Sequence, residues 1–362
     1  MIRALLLYTP AGGGHRAAAN AIAAELRAIL GARVDVRDVL DFAPRWFAYD
    51  AAWSLIQRRG THAWDWLFDV TERGALELDP IRLPLNEVLF AKLDDYLLET
   101  RPTHVVCTHY LPALAAARVA PRIGARTVVT ITDHLSHRAW IVPGIDAYCV
   151  ADAAVARGVR RRTTAEVAVT GIPIARAAGA PVRAVAPDLS RARVLALLGG
   201  VPRRDALAAI DALAPLAPRH ALHVLVGDEL DVAAHARRRL PGAEIAPRTD
   251  RMLAAIDAAD VVVTKAGGLT VSECLARGRA MVLPFATPGQ ERGNLIYALD
   301  AGAAIRPGEL ADTGDAVADL IAEPGRLRRM SSRARLASHP DAAAAVARTL
   351  LADVHAEVAR VA

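Results

Sequence analysis

The stretch Thr264–Asn294 reads TKAGGLTVSECLARGRAMVLPFATPGQERGN, and it decides the fold. Ahead of it, Asp260–Val263 is a short apolar, β-branched run of the kind that forms a buried strand. Gly267 and Gly268 predict a tight turn, and Leu269 to Arg277 carries helical spacing. A glycine turn feeding a helix presents free N–H groups and the positive end of a dipole, which suits a phosphate. Glu273 lies one turn into that helix. A second strand, Ala280–Pro284, leads to a polar loop holding Pro288, Gly289, Gln290 and Glu291. Strand, glycine turn, helix, strand is the repeating unit of an α/β fold with a parallel sheet. An anion cradle, a carboxylate and two hydroxyl-binding side chains are together what a nucleotide sugar needs.

Working outward, the 362 residues are enough for two domains, and 53% hydrophobic content without a polar tract predicts folded structure throughout. Lys and Arg total 44, yet only Lys92 and Lys265 are lysine. That bias makes arginine uninformative and Lys265, beside the glycine turn, more notable. The net charge of +5 permits attraction to nucleotides or to an anionic membrane. Cys107, Cys149 and Cys274 are scattered, which fits a reducing cytoplasm and neither a disulfide framework nor a metal site. No stretch has the ~18 uncharged apolar residues of a membrane span, so membrane contact is expected to be peripheral.

Near the N-terminus, Ile2–Tyr8 reads as a strand, Ala11–Gly14 as a glycine loop, His15 to about Leu30 as a helix and Val34–Val39 as the next strand. Gly12, Gly14 and Ala17 satisfy G-x-G-x-x-G/A, with Asp35 or Asp38 about 20 residues on, so an NAD-dependent oxidoreductase is a rival reading. His15, at a sheet's carboxyl edge, is a candidate general base. The segment 42–70 holds Trp46, Trp53, Trp64 and Trp66, interleaved with Arg45, Arg58 and Arg59. Such a mixture suits a headgroup boundary as well as a packed amphipathic pair.

Leu85–Glu99 predicts a helix, and His104–Thr108 and Arg126–Thr132 predict strands, with His109 at the first strand's end. The second strand runs into Asp133, His134, His137 and Trp140. Polar side chains at strand carboxyl ends are where open α/β sheets put their chemistry. Asp133 is expected to orient His15 or to act as base itself. The His134/His137 spacing lacks a third ligand, so no metal is expected. Residues 175–190 read as a linker, and a second αβ series opens with a strand ending at Gly199-Gly200.

Several motifs then fall in one order: GGGHRAAA at 12–19, TDHLSHRAW at 132–140, VTGIPI at 169–174, LLGG at 197–200, TKAGGLTVSECLARG at 264–278 and PGQERGN at 288–294. In that order they resemble the lipid-directed members of glycosyltransferase family 28, the monogalactosyldiacylglycerol synthases and processive diacylglycerol glucosyltransferases. The peptidoglycan transferase that adds GlcNAc to a lipid carrier is a more distant relative. The resemblance implies a GT-B fold: two Rossmann-like α/β domains facing a cleft, with C-terminal helices. It divides the chain into an acceptor-side and membrane-facing domain 1–174, a linker 175–190, a UDP-sugar domain 191–340 and a helix 341–362 that packs back on the first domain.

The resemblance further implies that Gly199, Gly200, Gly267, Gly268, Leu269 and Thr270 surround the diphosphate. Glu273 takes the ribose hydroxyls, Gln290, Glu291 and Asn294 the hexose, and the backbone from Arg248 to Met252 the uracil. His15 and Asp133 serve the acceptor hydroxyl. Gly13, Gly14, His134, Trp140 and the four tryptophans of 42–70 are placed on the acceptor and membrane side. The implied reaction is inverting transfer from UDP-glucose or UDP-galactose to a lipid such as diacylglycerol, at the inner face of the cell membrane. No cofactor, metal or nucleic-acid partner is implied, the UDP-sugar being a substrate. A UDP-sugar epimerase of the same architecture is the second rival.

Overall fold

The computed structural model describes residues 2–10, 13–29, 31–47, 49, 61–73, 79–176, 184–186 and 188–352. The chain forms two compact units: Met1–Arg176 with His339–Ala362, and Ala177–Ser338.

The first unit is built on a parallel sheet of β1 (Arg3–Tyr8), β2 (Arg33–Asp38), β3 (His104–Cys107), β4 (Arg126–Thr130), β5 (Ala147–Val150) and β6 (Glu166–Val169), in the order β2-β1-β3-β4-β5-β6. The central strands are covered on both faces, so they are continuous apolar runs: β3 and β5 are buried at every position. Alanine, the best helix former, lines the inner side of helix Gly14–Arg27, where Ala18, Ala19 and Ala23 sit with Ile22 and Leu26 against the sheet. The last described helix, Ala342–Leu350, shares this core through Val346, Ala347 and Leu350.

The strand order reverses about β1, whose neighbours are β2 and β3. Ligands of open α/β sheets bind at such a switch point, beyond the carboxyl ends of the strands. For this sheet that is the edge carrying Thr9, His15, Thr108 and His109.

The second unit repeats the plan with β7 (Arg193–Leu197), β8 (Ala221–Leu225), β9 (Glu244–Ala246), β10 (Val261–Lys265), β11 (Ala280–Phe285) and β12 (Ala304–Ile305). The order β12-β11-β10-β7-β8-β9 is that of the dinucleotide-binding fold, with its switch point between β7 and β10. The turn after β7 contains Gly199-Gly200, and the turn after β10 contains Gly267-Gly268.

The elements depart from expectation in two places. One helix over 85–99 is in fact two, Asp79–Leu89 and Ala91–Thr100, because Phe90 leaves helical geometry (φ −116°, ψ 25°) and drives its ring into the core. The second ends at Arg101, in the left-handed region (φ 44°), since Pro102 cannot continue a helix. The glycine turn also works differently from expectation. Gly267 has an ordinary φ of −71°, whereas Gly200 (φ +77°) occupies the conformation that favours glycine.

Candidate functional site

Helix Gly14–Arg27 opens at the switch point of the first sheet and presents His15 there. His15 Nδ1 lies 2.6 Å from the Thr108 carbonyl oxygen. A carbonyl can only accept, so Nδ1 carries the hydrogen and Nε2 keeps a lone pair. The Thr108 hydroxyl donates in return to the His15 carbonyl (2.9 Å), and Thr132 Oγ1 is 3.2 Å from Nδ1. Burial lowers the His15 pKa to about 4, against the pull of the Thr108 carbonyl. The N-terminal end of the helix adds to this, since its positive dipole end disfavours a cation. At neutral pH His15 is therefore an uncharged base of fixed tautomer.

A second imidazole stands edge-on to it, the rings of His15 and His109 being 4.8 Å apart at 77°. His109 Nδ1 accepts from Leu111 N–H (3.2 Å), capping helix Tyr110–Ile123, and lies 3.0 Å from Thr9 Oγ1. Nδ1 is thus the unprotonated nitrogen of His109, opposite to the case of His15. Trp140 closes on both rings, with centroids 6.3 and 5.8 Å away.

These contacts alter several expected roles. His15 takes its orientation from the Thr108 carbonyl, and Asp133 lies in the loop after β4. Trp140 is only 6% exposed, packed among His15, His109 and Tyr110, so it is a wall of this site and not a membrane-surface residue. His134 points inward, its Nδ1 2.7 Å from Asp152 Oδ2, and Asp152 also caps helix Ala153–Arg160. His137 turns elsewhere, accepting from Ala139 N–H and meeting Thr71 Oγ1 at 2.9 Å, so the two imidazoles do not converge. Among the described residues no group of three or more His, Cys, Asp or Glu could hold a metal ion.

Gly13 and Gly14 begin that helix, and a Cβ on Gly13 would meet nothing within 4 Å. Trp46 and Trp66 are 71% and 64% exposed; Trp53 and the Trp64 side chain lie outside the described residues. Helix Asp79–Leu89 adds exposed Ile81, Leu85 and Val88, spaced to lie along one helix face. No described helix is long and apolar enough to cross a membrane.

In the second unit, the turns after β7 and β8 meet at glycines, where a Cβ on Gly227 would lie 3.2 Å from Gly199 Cα. Helix Gly268–Ala276 starts without a side-chain cap, and its first intrahelical bond is from Val271 N–H to the Gly267 carbonyl. The N–H groups of Gly268, Leu269 and Thr270 therefore lack intrahelical acceptors. Glu273 is buried, has no side-chain hydrogen bond among the described residues, and is pushed up to about 7 by burial.

Glu291 is 2% exposed and does not face solvent. Its carboxylate accepts from Thr287 N–H (2.6 Å) and pairs with Lys265. Burial would raise its pKa, but the Lys265 charge and these hydrogen bonds outweigh it and hold the group ionised. Asn294 is also turned inward, Nδ2 donating to the Ala266 carbonyl (3.0 Å) and tying the glycine turn to helix Arg292–Asp300. Gln290 is half-buried with no side-chain hydrogen bond among the described residues. The Arg248 side chain is exposed and paired with Asp228, and Met252 opens helix Met252–Ala258.

Sequence reasoning passed over Thr9, Thr108 and Thr132. Their signal was placement: each follows a strand at the carboxyl edge of the first sheet.

Two family models cover most of this architecture. Residues 15–174 match monogalactosyldiacylglycerol (MGDG) synthase, and residues 204–345 match the glycosyltransferase family 28 C-terminal domain. The UDP-N-acetylglucosamine--N-acetylmuramyl-(pentapeptide) pyrophosphoryl-undecaprenol N-acetylglucosamine transferase of Mycobacterium tuberculosis is 32% identical over 268 residues, 67% of this chain and 63% of that protein. The chain thus spans a little under two thirds of the length of the Mycobacterium tuberculosis and Mycobacterium bovis relatives it matches. Monogalactosyldiacylglycerol synthase 3, chloroplastic, of Arabidopsis thaliana is 27% identical over 375 residues, covering 93% of this chain and 78% of that protein. Among solved structures, Acinetobacter baumannii MurG has a TM-score of 0.63 at 16% identity, covering 97% of this chain and 99% of its own. A UDP-GlcNAc 2-epimerase from Neisseria meningitidis has the same TM-score at 13% identity, covering 97% of this chain and 100% of its own. At such identities these two report the fold alone. By both family models and by its relatives, the chain belongs to glycosyltransferase family 28.

Proposed function

We propose that this chain is an inverting glycosyltransferase that moves a hexose from UDP-glucose or UDP-galactose to a lipid hydroxyl, that of 1,2-diacylglycerol, giving a β-glycosyl lipid. The observation that carries the reading is His15: a neutral imidazole at the switch point of the first sheet, its Nδ1–H committed to Thr108 and its Nε2 lone pair available. Nε2 takes the proton of the acceptor hydroxyl as the acceptor oxygen bonds to the anomeric carbon. The bond from that carbon to the diphosphate breaks on the opposite side, which inverts the configuration. Asp133 is assigned to the same acceptor hydroxyl.

The departing UDP gathers negative charge. Preorganised N–H groups of Gly268, Leu269 and Thr270, the dipole of their helix and the Gly199-Gly200 turn stabilise it. Glu273, ionised, accepts from the ribose hydroxyls, and Gln290 is free to meet the hexose. Trp46, Trp66 and the Ile81–Leu85–Val88 face are assigned to an anionic bilayer surface at the inner face of the cell membrane, where such an acceptor resides.

A second acceptor, a lipid-linked muramyl pentapeptide, is favoured by the 32% identity of the mycobacterial relative. The MGDG synthase match over 15–174 favours diacylglycerol, because His15, Asp133 and the four tryptophans of 42–70 fall within it. Incubation with labelled UDP-glucose, UDP-galactose or UDP-N-acetylglucosamine, each against vesicles holding one acceptor, separates the two. Label in diacylglycerol supports the proposal. Label only in the muramyl lipid replaces its acceptor. Epimerised nucleotide without lipid label moves the chain to the epimerase reading.

A further inference from the structure

The expected hexose ligands include Glu291, but this side chain is turned away from solvent. Its carboxylate is shared between the Thr287 backbone N–H and the Lys265 ammonium. Lys265 is the last residue of β10, at the switch point of the second sheet. Its side chain fills the space that two glycine turns leave open. A methyl on Gly200 would lie 4.0 Å from Lys265 Cε, and one on Gly267 would lie 3.7 Å from both Lys265 Nζ and Glu291 Oε1. The ammonium therefore stands beside the Gly267 end of helix Gly268–Ala276, where three N–H groups lack intrahelical acceptors. The lysine side chain keeps 28% of its exposure, against 3% for Glu291, so the pair opens to ligand on the lysine side. In a chain that otherwise uses arginine, Lys92 being the one other lysine, a compact ammonium at this point has a use: a guanidinium is planar and wider.

We propose that Lys265 is the cation of the donor site, set against the leaving diphosphate, and that Glu291 is its positioning residue rather than a hexose ligand. The inference rests on the reading that the second unit holds a UDP-sugar. Free, the ammonium is held at the edge of the cradle by a carboxylate that is itself fixed by Thr287 N–H. With donor bound, the same ammonium meets the phosphate oxygens, and the β-phosphate leaves against a charge already in place. Because Thr287 begins the turn that leads to Gln290, the pair also ties the phosphate contact to the loop beneath the hexose.

Titrations of full-length protein with UDP, uridine, UDP-glucose and UDP-galactose test this, using Lys265→Met, Lys265→Arg, Glu291→Gln and the Lys265→Met/Glu291→Gln double variant. Lys265→Met weakens UDP by about tenfold or more, the scale of one charge-assisted phosphate contact, and leaves uridine binding intact, which also reports a sound fold. Lys265→Arg restores part of the loss. Glu291→Gln shifts UDP and both UDP-hexoses by one common factor, and that shift vanishes in the Lys265→Met background. The inference is overturned if Lys265→Met binds UDP like the wild type. It is equally overturned if Glu291→Gln leaves UDP untouched and weakens only the UDP-hexoses. Failure of the wild type to bind UDP or uridine at all would instead remove the donor-site reading beneath it.

Discussion

At the residue scale, the half-buried His15 and the buried Glu273 give the two units opposite responses to pH. His15 is held neutral, its pKa lowered to about 4 by burial. Glu273 is raised to about 7 by burial, so its carboxyl is half protonated near neutrality. Measured at saturating donor, kcat falls on the acid side only as pH approaches about 4, where His15 takes up a proton. Donor KM rises earlier, as pH drops through about 7 and the Glu273 carboxylate is lost. A single ionisation near 6.5 governing both parameters would contradict this separation.

The same shift makes Glu273 a burden on folding. Its folded pKa lies above the unfolded value of 4.5, so the protein loses stability as pH rises from there through 7. Glu273→Gln is therefore expected to stabilise the second unit at pH 8 by up to about 3 kcal/mol. It also weakens UDP binding severely, the trade expected of a strained site residue. Thermal unfolding at pH 5 and pH 8 checks the sign: the gain belongs to pH 8 and shrinks at pH 5.

At the element scale, the two glycine turns of the second sheet have different physical reasons, and substitution separates them. Gly200 has φ +77°, so Gly200→Ala strains the backbone at a cost of about 1 kcal/mol or more. Gly267 has an ordinary φ, and a methyl there makes contacts of 3.7 Å, within normal van der Waals range. Gly267→Ala is expected to melt within about 0.5 kcal/mol of wild type. Its methyl nonetheless projects toward Lys265, and UDP affinity falls. Chemical denaturation and UDP titration of both variants read these outcomes directly.

Also at this scale, helix Asp79–Leu89 leaves Ile81, Leu85 and Val88 uncovered, Val88 at 72% exposure. Replacing Ile81 and Val88 by Glu is expected to change stability little, because neither side chain is packed. Sedimentation with anionic vesicles should drop sharply, while UDP affinity stays as it was. Unchanged vesicle binding would remove this face from the membrane surface.

At the scale of the whole molecule, the legibility of the sequence followed the physics of parallel sheets. Strands buried on both faces are continuous apolar runs, so LLLY, HVVC and VVVT announced themselves, and so did the glycine turns after them. The partners of the site residues were not legible. His15 meets Thr108 across 93 residues, because β1 and β3 lie side by side. Lys265 meets Glu291 through the pairing of β10 with β11, whose register shifts after Val263. Residue type alone suggested that Glu291 holds sugar and that Asp133 orients His15. Three-dimensional pairing turned the Glu291 carboxylate inward and set a backbone carbonyl against His15 Nδ1. Trp140 shows the same limit: it lies between Ala139 and Ile141, and nothing in that run tells that its ring closes on two histidines.

The central claim is that His15 is the base of a UDP-sugar-dependent transfer, so its most direct test measures transfer and donor binding in one variant. Transfer of labelled hexose from UDP-glucose or UDP-galactose to diacylglycerol vesicles is to be compared for wild type and His15→Ala, with UDP affinity titrated alongside. The account predicts β-linked label in the wild-type lipid, loss of at least about 100-fold in rate on replacing His15, and UDP affinity unchanged within about twofold. Transfer that survives in His15→Ala, or UDP affinity that collapses with it, would contradict the account.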